Sequence, residues 1–187
     1  MRFFTSDLHF GHANIIKYCN RPFADVDEMN YALIRNWNHV VAPDDEVIVL
    51  GDFAMGKINE TLPIAHQLNG TKYLVPGNHD RCWSGHPEKK RKGWVERYED
   101  VGFTILSNEL MLYPDTTPTM LCHFPYVGDS HDSDRYVAHR PEDHGVTLLH
   151  GHVHDEWNTA TSPRGTLMIN VGVDAHDYRP VPERELL

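Results

Sequence analysis

An α/β layered sandwich of two packed, mixed β-sheets flanked by helices is the fold class this sequence predicts, and three observations carry it. Apolar runs of strand length, such as Val47-Ile48-Val49-Leu50 and Tyr73-Leu74-Val75, punctuate the first half. Between them lie longer segments whose apolar residues recur every three or four positions, giving a βαβ rhythm. After about residue 106 the strand-length runs follow one another without helices between them, which asks for a second sheet rather than an extension of the first.

Taken in order, Arg2 to Ser6 reads as a short strand and Ala13 to Cys19 as a short helix. Val26, Met29, Leu33, Trp37 and Val40 stand at helical spacing, so an amphipathic helix over 26–41 should pack on a sheet. Pro43-Asp44-Asp45 is a turn before the buried strand Glu46 to Leu50. Ile58, Leu62, Ala65 and Leu68 repeat the helical pattern up to a stop at Asn69-Gly70, and a strand from Lys72 to Val75 follows. Pro87 opens a helix to about Asp100, closed near Gly102, ahead of a strand from Phe103 to Leu106. Strands at 109–113 and 119–122 are joined by the turn Pro114-Asp115-Thr116, and after the polar stretch 125–145 come strands at 146–150 and 166–171. No linker, repeat or low-complexity tract divides the chain, so a single domain over residues 1–187 is expected.

Composition narrows the function classes. No apolar stretch is long enough to span a bilayer, and the opening Met1-Arg2-Phe3-Phe4-Thr5 has no apolar run with a cleavage site. The cysteines Cys19, Cys82 and Cys122 are odd in number and lack C-x-x-C spacing, which points to a reducing cytoplasm and to thiols in or near the core. A net charge of -10 disfavours broad binding to nucleic acid. It leaves room for a small anionic substrate if a bound pair of divalent cations makes the site locally positive. The 14 histidines, set against 17 lysines and arginines, point the same way.

The chemistry lies at the strand ends. Successive apolar runs lead into Asp7-Leu8-His9, Gly51-Asp52, Gly77-Asn78-His79-Asp80, His123 and His150-Gly151-His152-Val153-His154. In open α/β sheets ligands bind at that carboxyl edge. Asp7 with His9, and His152 with His154, are two residues apart and project to one side of an extended chain. Gly51, Gly77 and Gly151 let the backbone turn tightly beside a ligand. The donors Asp7, His9, Asp52, Asn78, His123, His152 and His154 include no thiolate and exceed the four that one structural zinc needs. They fit two divalent ions sharing a carboxylate, and their softness suits Mn, or Fe, Zn, Co or Ni, better than Mg alone.

These motifs, in order over residues 7–154, resemble those of the calcineurin-like metallophosphoesterases. Any one is a weak signal; five in register, each after an expected strand, are specific. The resemblance implies the metallophosphoesterase fold, with Asp7, His9, Asp52 and His154 on one metal. It puts Asn78, His123 and His152 on the other, with Asp52 bridging. It makes His79 the non-ligand histidine over the substrate, oriented by Asp80. The implied reaction is hydrolysis of a phosphoester P–O bond by a metal-bridging hydroxide, with His79 as general acid to the leaving oxygen.

Other residues stay open. His12 is either a turn residue or a contact to the substrate phosphate, and its closeness to His9 favours the contact. His150 reads as a packing residue, and His39, His66 and His176 as solvated. The basic run Lys89-Lys90-Arg91-Lys92 is either a solvated helix face or an overhang drawing in anions. The loop 125–145, with His131, Arg135, His139 and Arg140, is either a lid or a surface excursion. The expected partner is a small phosphoester, with no membrane. Family habit favours a phosphodiesterase on small or cyclic nucleotides; a phosphomonoesterase, including a protein phosphatase, and a non-catalytic scaffold are the alternatives.

Overall fold

Strand side chains alternate between two faces, and in the first sheet each face has its own partner. The computed structural model describes residues 1–114 and 118–187, so the turn expected at Pro114-Asp115-Thr116 runs into residues outside those described. Strands β1 (Arg2–Thr5), β2 (Glu46–Val49), β3 (Thr71–Leu74) and β4 (Phe103–Ile105) pair in parallel. The short β10 (Val181–Pro182) lies antiparallel on β1 at the far edge. Phe3, Val47, Val49, Leu74 and Phe103 face one way, into a core shared with the helices. Phe4, Ile48, Leu50 and Val75 face the other way and meet Leu121, Leu149, Ile169 and Val171 of the second sheet.

That second sheet has the order β5-β6-β7-β9-β8, built from β5 (Glu109–Leu112), β6 (Thr119–Cys122), β7 (Thr147–His150), β8 (Thr159–Thr161) and β9 (Leu167–Asn170). Strands β6, β7 and β9 are parallel, with antiparallel edges on each side. The fold is thus α/β with two packed, mixed five-stranded sheets. The helices pack on the first sheet; on the outer face of the second, Trp83, Phe124, Tyr126, Tyr136 and Trp157 from connecting segments take their place.

The helices follow their sequence signals, with two differences. Helix α1 is Ala13–Tyr18 and α2 is Val26–Val40. The Asp25 side chain caps α2, accepting from the backbone N–H of Asp27 and Glu28, and Met29, Leu33 and Trp37 fill the core. The expected helix 58–68 is α-helical only over α3 (Ile58–Thr61) and tightens over Leu62–Gln67, where Pro63 has no N–H to donate. The expected helix 87–100 is two pieces, α4 (Glu88–Arg91) and α5 (Trp94–Asp100), separated at Gly93 with its left-handed φ of 76°. No helix among the described residues is long and apolar enough to cross a membrane.

The carboxyl edges of the two sheets meet. Ser6, just past β1, bridges in parallel to Gly172, just past β9, and the Val173 N–H donates to the Ser6 carbonyl at 3.0 Å.

Candidate metal centre

The connections leaving β1, β2 and β7 carry unusual backbone. Asp7 (φ 56°), His9 (52°), Asp52 (56°), His152 (72°) and His154 (51°) all hold left-handed conformations that cost an L-residue roughly 1–2 kcal/mol each. Such strain persists only where the surroundings over-determine it, and it concentrates at functional sites. The surroundings are visible here. The Asp7 N–H donates to the Gly51 carbonyl (3.1 Å) and the His9 N–H to the Asp52 carbonyl (3.0 Å). The His152 N–H donates to Asp7 Oδ2 and the His79 N–H to Asp52 Oδ1, each at 2.9 Å. Close approach explains two glycines: a Cβ on Gly77 would lie 2.4 Å from Asp52 Oδ1, and one on Gly151 2.0 Å from Ser6 Oγ and 2.4 Å from Asp7 Oδ2.

All the expected donors come together. Asp52 Oδ2 lies 3.6 Å from His9 Nε2 and 3.5 Å from His123 Nε2, so one carboxylate oxygen sits between two imidazoles. His9 Nε2 is 3.8 Å from Asp7 Oδ1, and His123 Nε2 is 3.2 Å from Asn78 Oδ1. The His154 ring lies 5.1 Å from that of His9, and the His152 ring 5.2 Å from that of His123. Donors around an ion at about 2.1 Å in tetrahedral geometry stand about 3.4 Å apart, which is this spacing. Asp7, His9 and His154 form one cluster of metal-capable groups, and Asp7, Asp52 and His123 another. Asp7 Oδ1 and His9 Nε2 are buried without a hydrogen-bond partner, a costly state that a cation would relieve. These buried groups can hold metal.

Each histidine also has a partner on its outer side, which fixes the ring. The Nδ1 atoms of His9, His123 and His154 meet Met55 Sδ (3.1 Å), the Leu50 carbonyl (2.7 Å) and Asp174 Oδ2 (3.3 Å), turning Nε2 inward. His152 differs: its Nε2 lies 3.2 Å from the Asp129 Oδ2 carboxylate oxygen as a close charge contact, without the alignment of a hydrogen bond. Arg21 grips Asp174 with two nitrogens at 2.7 and 2.8 Å, and Asp129 takes Arg135. Asp129, Asp174 and Met55 carry no signature in the sequence, because each acts through a distant neighbour and none stands in a motif.

Burial dominates the electrostatics. It raises the Asp7 carboxyl above its ordinary value despite His154 and His123. Burial alone would raise Asp52 too, yet His123, His79 and the His79 amide hold it below. Burial also pushes His152 down to about 3. It opposes protonation of His154 as well, but Asp7 and Asp174 outweigh it and raise that ring well above its usual range.

The structure corrects the assignment of Asp80. Its Oδ2 accepts from the backbone N–H of Asp52 (2.8 Å) and Gly77 (2.9 Å), and its Oδ1 from Phe53 N–H and the Tyr98 hydroxyl at 3.2 Å. Both oxygens are thus taken up in tying the β2 and β3 connections together, and none is left to orient the His79 ring. His79 itself is exposed at the mouth, its ring 5.4 Å from His9. The His12 ring stands at the same distance from His9 on another side. A cavity of about 680 Å³ opens there, lined by His12, Tyr18, His79, His131, Arg135 and Glu156 among others. A smaller one, lined by Asn78, His79, Arg81 and His86, adjoins it. The cations on these walls are Arg81 and Arg135 rather than the run Lys89–Lys92. His150 packs on Trp157 as expected, and His39 and His66 are exposed, but His176 is half-buried, with Nε2 2.7 Å from the Asn170 carbonyl.

Fold and site together define an α/β protein with a buried Asp/His centre at the meeting edge of two sheets. The chain belongs to one family with an uncharacterized protein of Methanocaldococcus jannaschii, 35% identical over 185 residues that cover 96% of this chain and 85% of that one. The gene 66 protein of Mycobacterium phage D29 is 36% identical over 98% of this chain and 94% of its own length. A solved structure of a protein of unknown function from Aquifex aeolicus superimposes with a TM-score of 0.71 at 27% identity, covering 100% of this chain and 97% of that one. No family model matches the chain.

Proposed function

We propose that the protein is a divalent-metal-dependent phosphoesterase with a two-ion centre, acting as a phosphodiesterase on small or cyclic nucleotides. The observation that carries the reading is Asp52 Oδ2, set 3.6 Å from His9 Nε2 and 3.5 Å from His123 Nε2, where a bridging carboxylate belongs. Asp7, His9, Asp52 and His154 would hold one ion, and Asp52, Asn78, His123 and His152 the other. When bound, such a pair supplies an activated water and the positive charge that offsets charge developing on the phosphoryl oxygens.

The chain's own groups do the rest. His12 and Arg135 line the cavity where a phosphate would be oriented. His79, exposed beside the centre and free of Asp80, is placed to give a proton to the departing oxygen. A cavity of about 680 Å³ is of small-molecule size and supports a small substrate over a phosphoprotein. A scaffold without metal would leave Asp7 Oδ1 and His9 Nε2 uncompensated.

The test is a screen of the Mn-loaded protein against nitrophenyl mono- and diesters and nucleotide diesters, with Asp52→Asn alongside. Diester hydrolysis that Asp52→Asn abolishes is the expected result. Preference for monoesters would move the assignment to a phosphomonoesterase, and normal turnover in Asp52→Asn would remove the bridging role.

A further inference from the structure

The loop that follows His123 on its way to β7 sets one carboxylate, Asp129, against the centre. Its side chain is 2% exposed although the loop around it is largely open. One oxygen, Oδ1, receives Arg135 Nε (3.1 Å) and Nη2 (2.6 Å); the other, Oδ2, receives the Arg135 N–H at 2.9 Å. Arg140 Nη2 lies 4.0 Å from Oδ2 and ties the Gly128 (2.9 Å) and Arg135 (3.1 Å) carbonyls together. The His152 ring faces this carboxylate with Nε2 at 3.2 Å and is walled by Phe124, Tyr136 and His123. The same loop puts Ser130, His131 and Arg135 on the wall of the large cavity.

We propose that Asp129 is a positioning residue that joins the two: it fixes the His152 ring with Nδ1 toward the centre and, through Arg135, latches the substrate-facing loop. His152 would then be the one histidine of the set to ligate through Nδ1, because its other nitrogen faces the Asp129 carboxylate at 3.2 Å. A histidine held by a carboxylate keeps its tautomer and its basicity toward a metal, and loss of such a partner typically costs about 10–100-fold in metal affinity. Coupling runs both ways: an ion on His152 stiffens the loop, and a closed loop tightens the ion. Arg135 is thereby placed to read a substrate anion only when the second ion is present.

The inference rests on the two-ion reading above, and Mn²⁺ titration by calorimetry separates the two. Wild-type protein is expected to take up two ions, and limited proteolysis of bonds 130–135 is expected to slow as the second binds. Asp129→Asn should weaken the second binding step by about 10–100-fold, leave the first unchanged, and keep the loop cleavable at all metal concentrations. Asp129→Glu should restore part of the affinity, which a merely structural loss would not allow. Arg135→Gln, an exposed change that leaves Asp129 in place, should free the loop while weakening the second step only a few-fold. Asp132→Asn is the control and should match wild type. Two wild-type-like binding steps in Asp129→Asn, or loop cleavage in Arg135→Gln that still slows with metal as in the wild type, would overturn the coupling. A single binding step in the wild type would overturn the two-ion reading itself.

Discussion

Asp52 is both strained and central. Its left-handed backbone is among the costs that the cluster of hydrogen bonds around Asp80 offsets, and its carboxylate is the point on which the two donor sets converge. The tightest tolerance, however, is at Gly151. Gly151→Ala would set a methyl 2.0 Å from Ser6 Oγ and 2.4 Å from Asp7 Oδ2, so either Asp7 or the His152 segment must move. Loss of at least one bound metal equivalent, measured by atomic absorption on a folded sample, is expected. For His79 the expectation depends on the leaving group. His79→Asn should keep its metal and most of its turnover of a nitrophenyl diester, whose phenolate leaves unprotonated, yet lose about 10²–10⁴-fold on a nucleotide diester. Equal losses on both would make His79 a phosphate contact instead of an acid.

Among the elements, α2 packs Met29, Leu33 and Trp37 into the core it shares with the first sheet. Trp37 is fully buried and its indole N–H donates to the Asn69 carbonyl at 3.0 Å, joining the helix to the turn before β3. Trp37→Ala should cost about 3–5 kcal/mol and lower the melting temperature by roughly 10 °C, read by circular dichroism. This helix is plain in the sequence because Val26, Met29, Leu33, Trp37 and Val40 keep helical spacing. The core strands were equally legible, since their apolar runs are continuous. What escaped was short or indirect: β8 is Thr-Ala-Thr and β10 is two residues ending in Pro182, neither with a hydrophobic pattern to read. The breaks at Pro63 and Gly93 carried visible signals that the surrounding periodicity masked. The centre was legible because its donors sit in strand-end motifs. The outer carboxylates Asp129 and Asp174 were not, because their function depends on where a loop and a terminal turn fold back. Asp80 was misread for a related reason, as adjacency in sequence to His79 stood in for contact.

At the scale of the molecule, metal and stability are linked. Groups buried without partners, such as Asp7 Oδ1 and His9 Nε2, burden the metal-free fold, and an ion that binds only the folded state stabilises it by mass action. At a free Mn²⁺ concentration about 100-fold above its dissociation constant, the gain is about 2.7 kcal/mol per site. Differential scanning calorimetry should therefore show a rise of several degrees on adding Mn²⁺ and its reversal by chelator. An unchanged melting temperature would mean that no ion binds the native state selectively. The buried thiols belong to this scale too. Burial raises Cys19, Cys82 and Cys122, the last to about 12, so none should react promptly with a thiol reagent until the molecule unfolds.

The donors of the centre run from Asp7 to His154, with Asp7, His9, Asp52 and Asn78 following strands of the first sheet and His123, His152 and His154 following strands of the second. A ribosome making this chain must therefore release every residue from Asp7 to His154 before the set is complete. Until His152 and His154 emerge and the second sheet closes on the first, the early motifs are isolated carboxylates and imidazoles with ordinary, weak attraction for cations. Under the two-ion reading proposed above, metal capture waits for that closure, and a product that stops short of residue 152 lacks two of the seven donors.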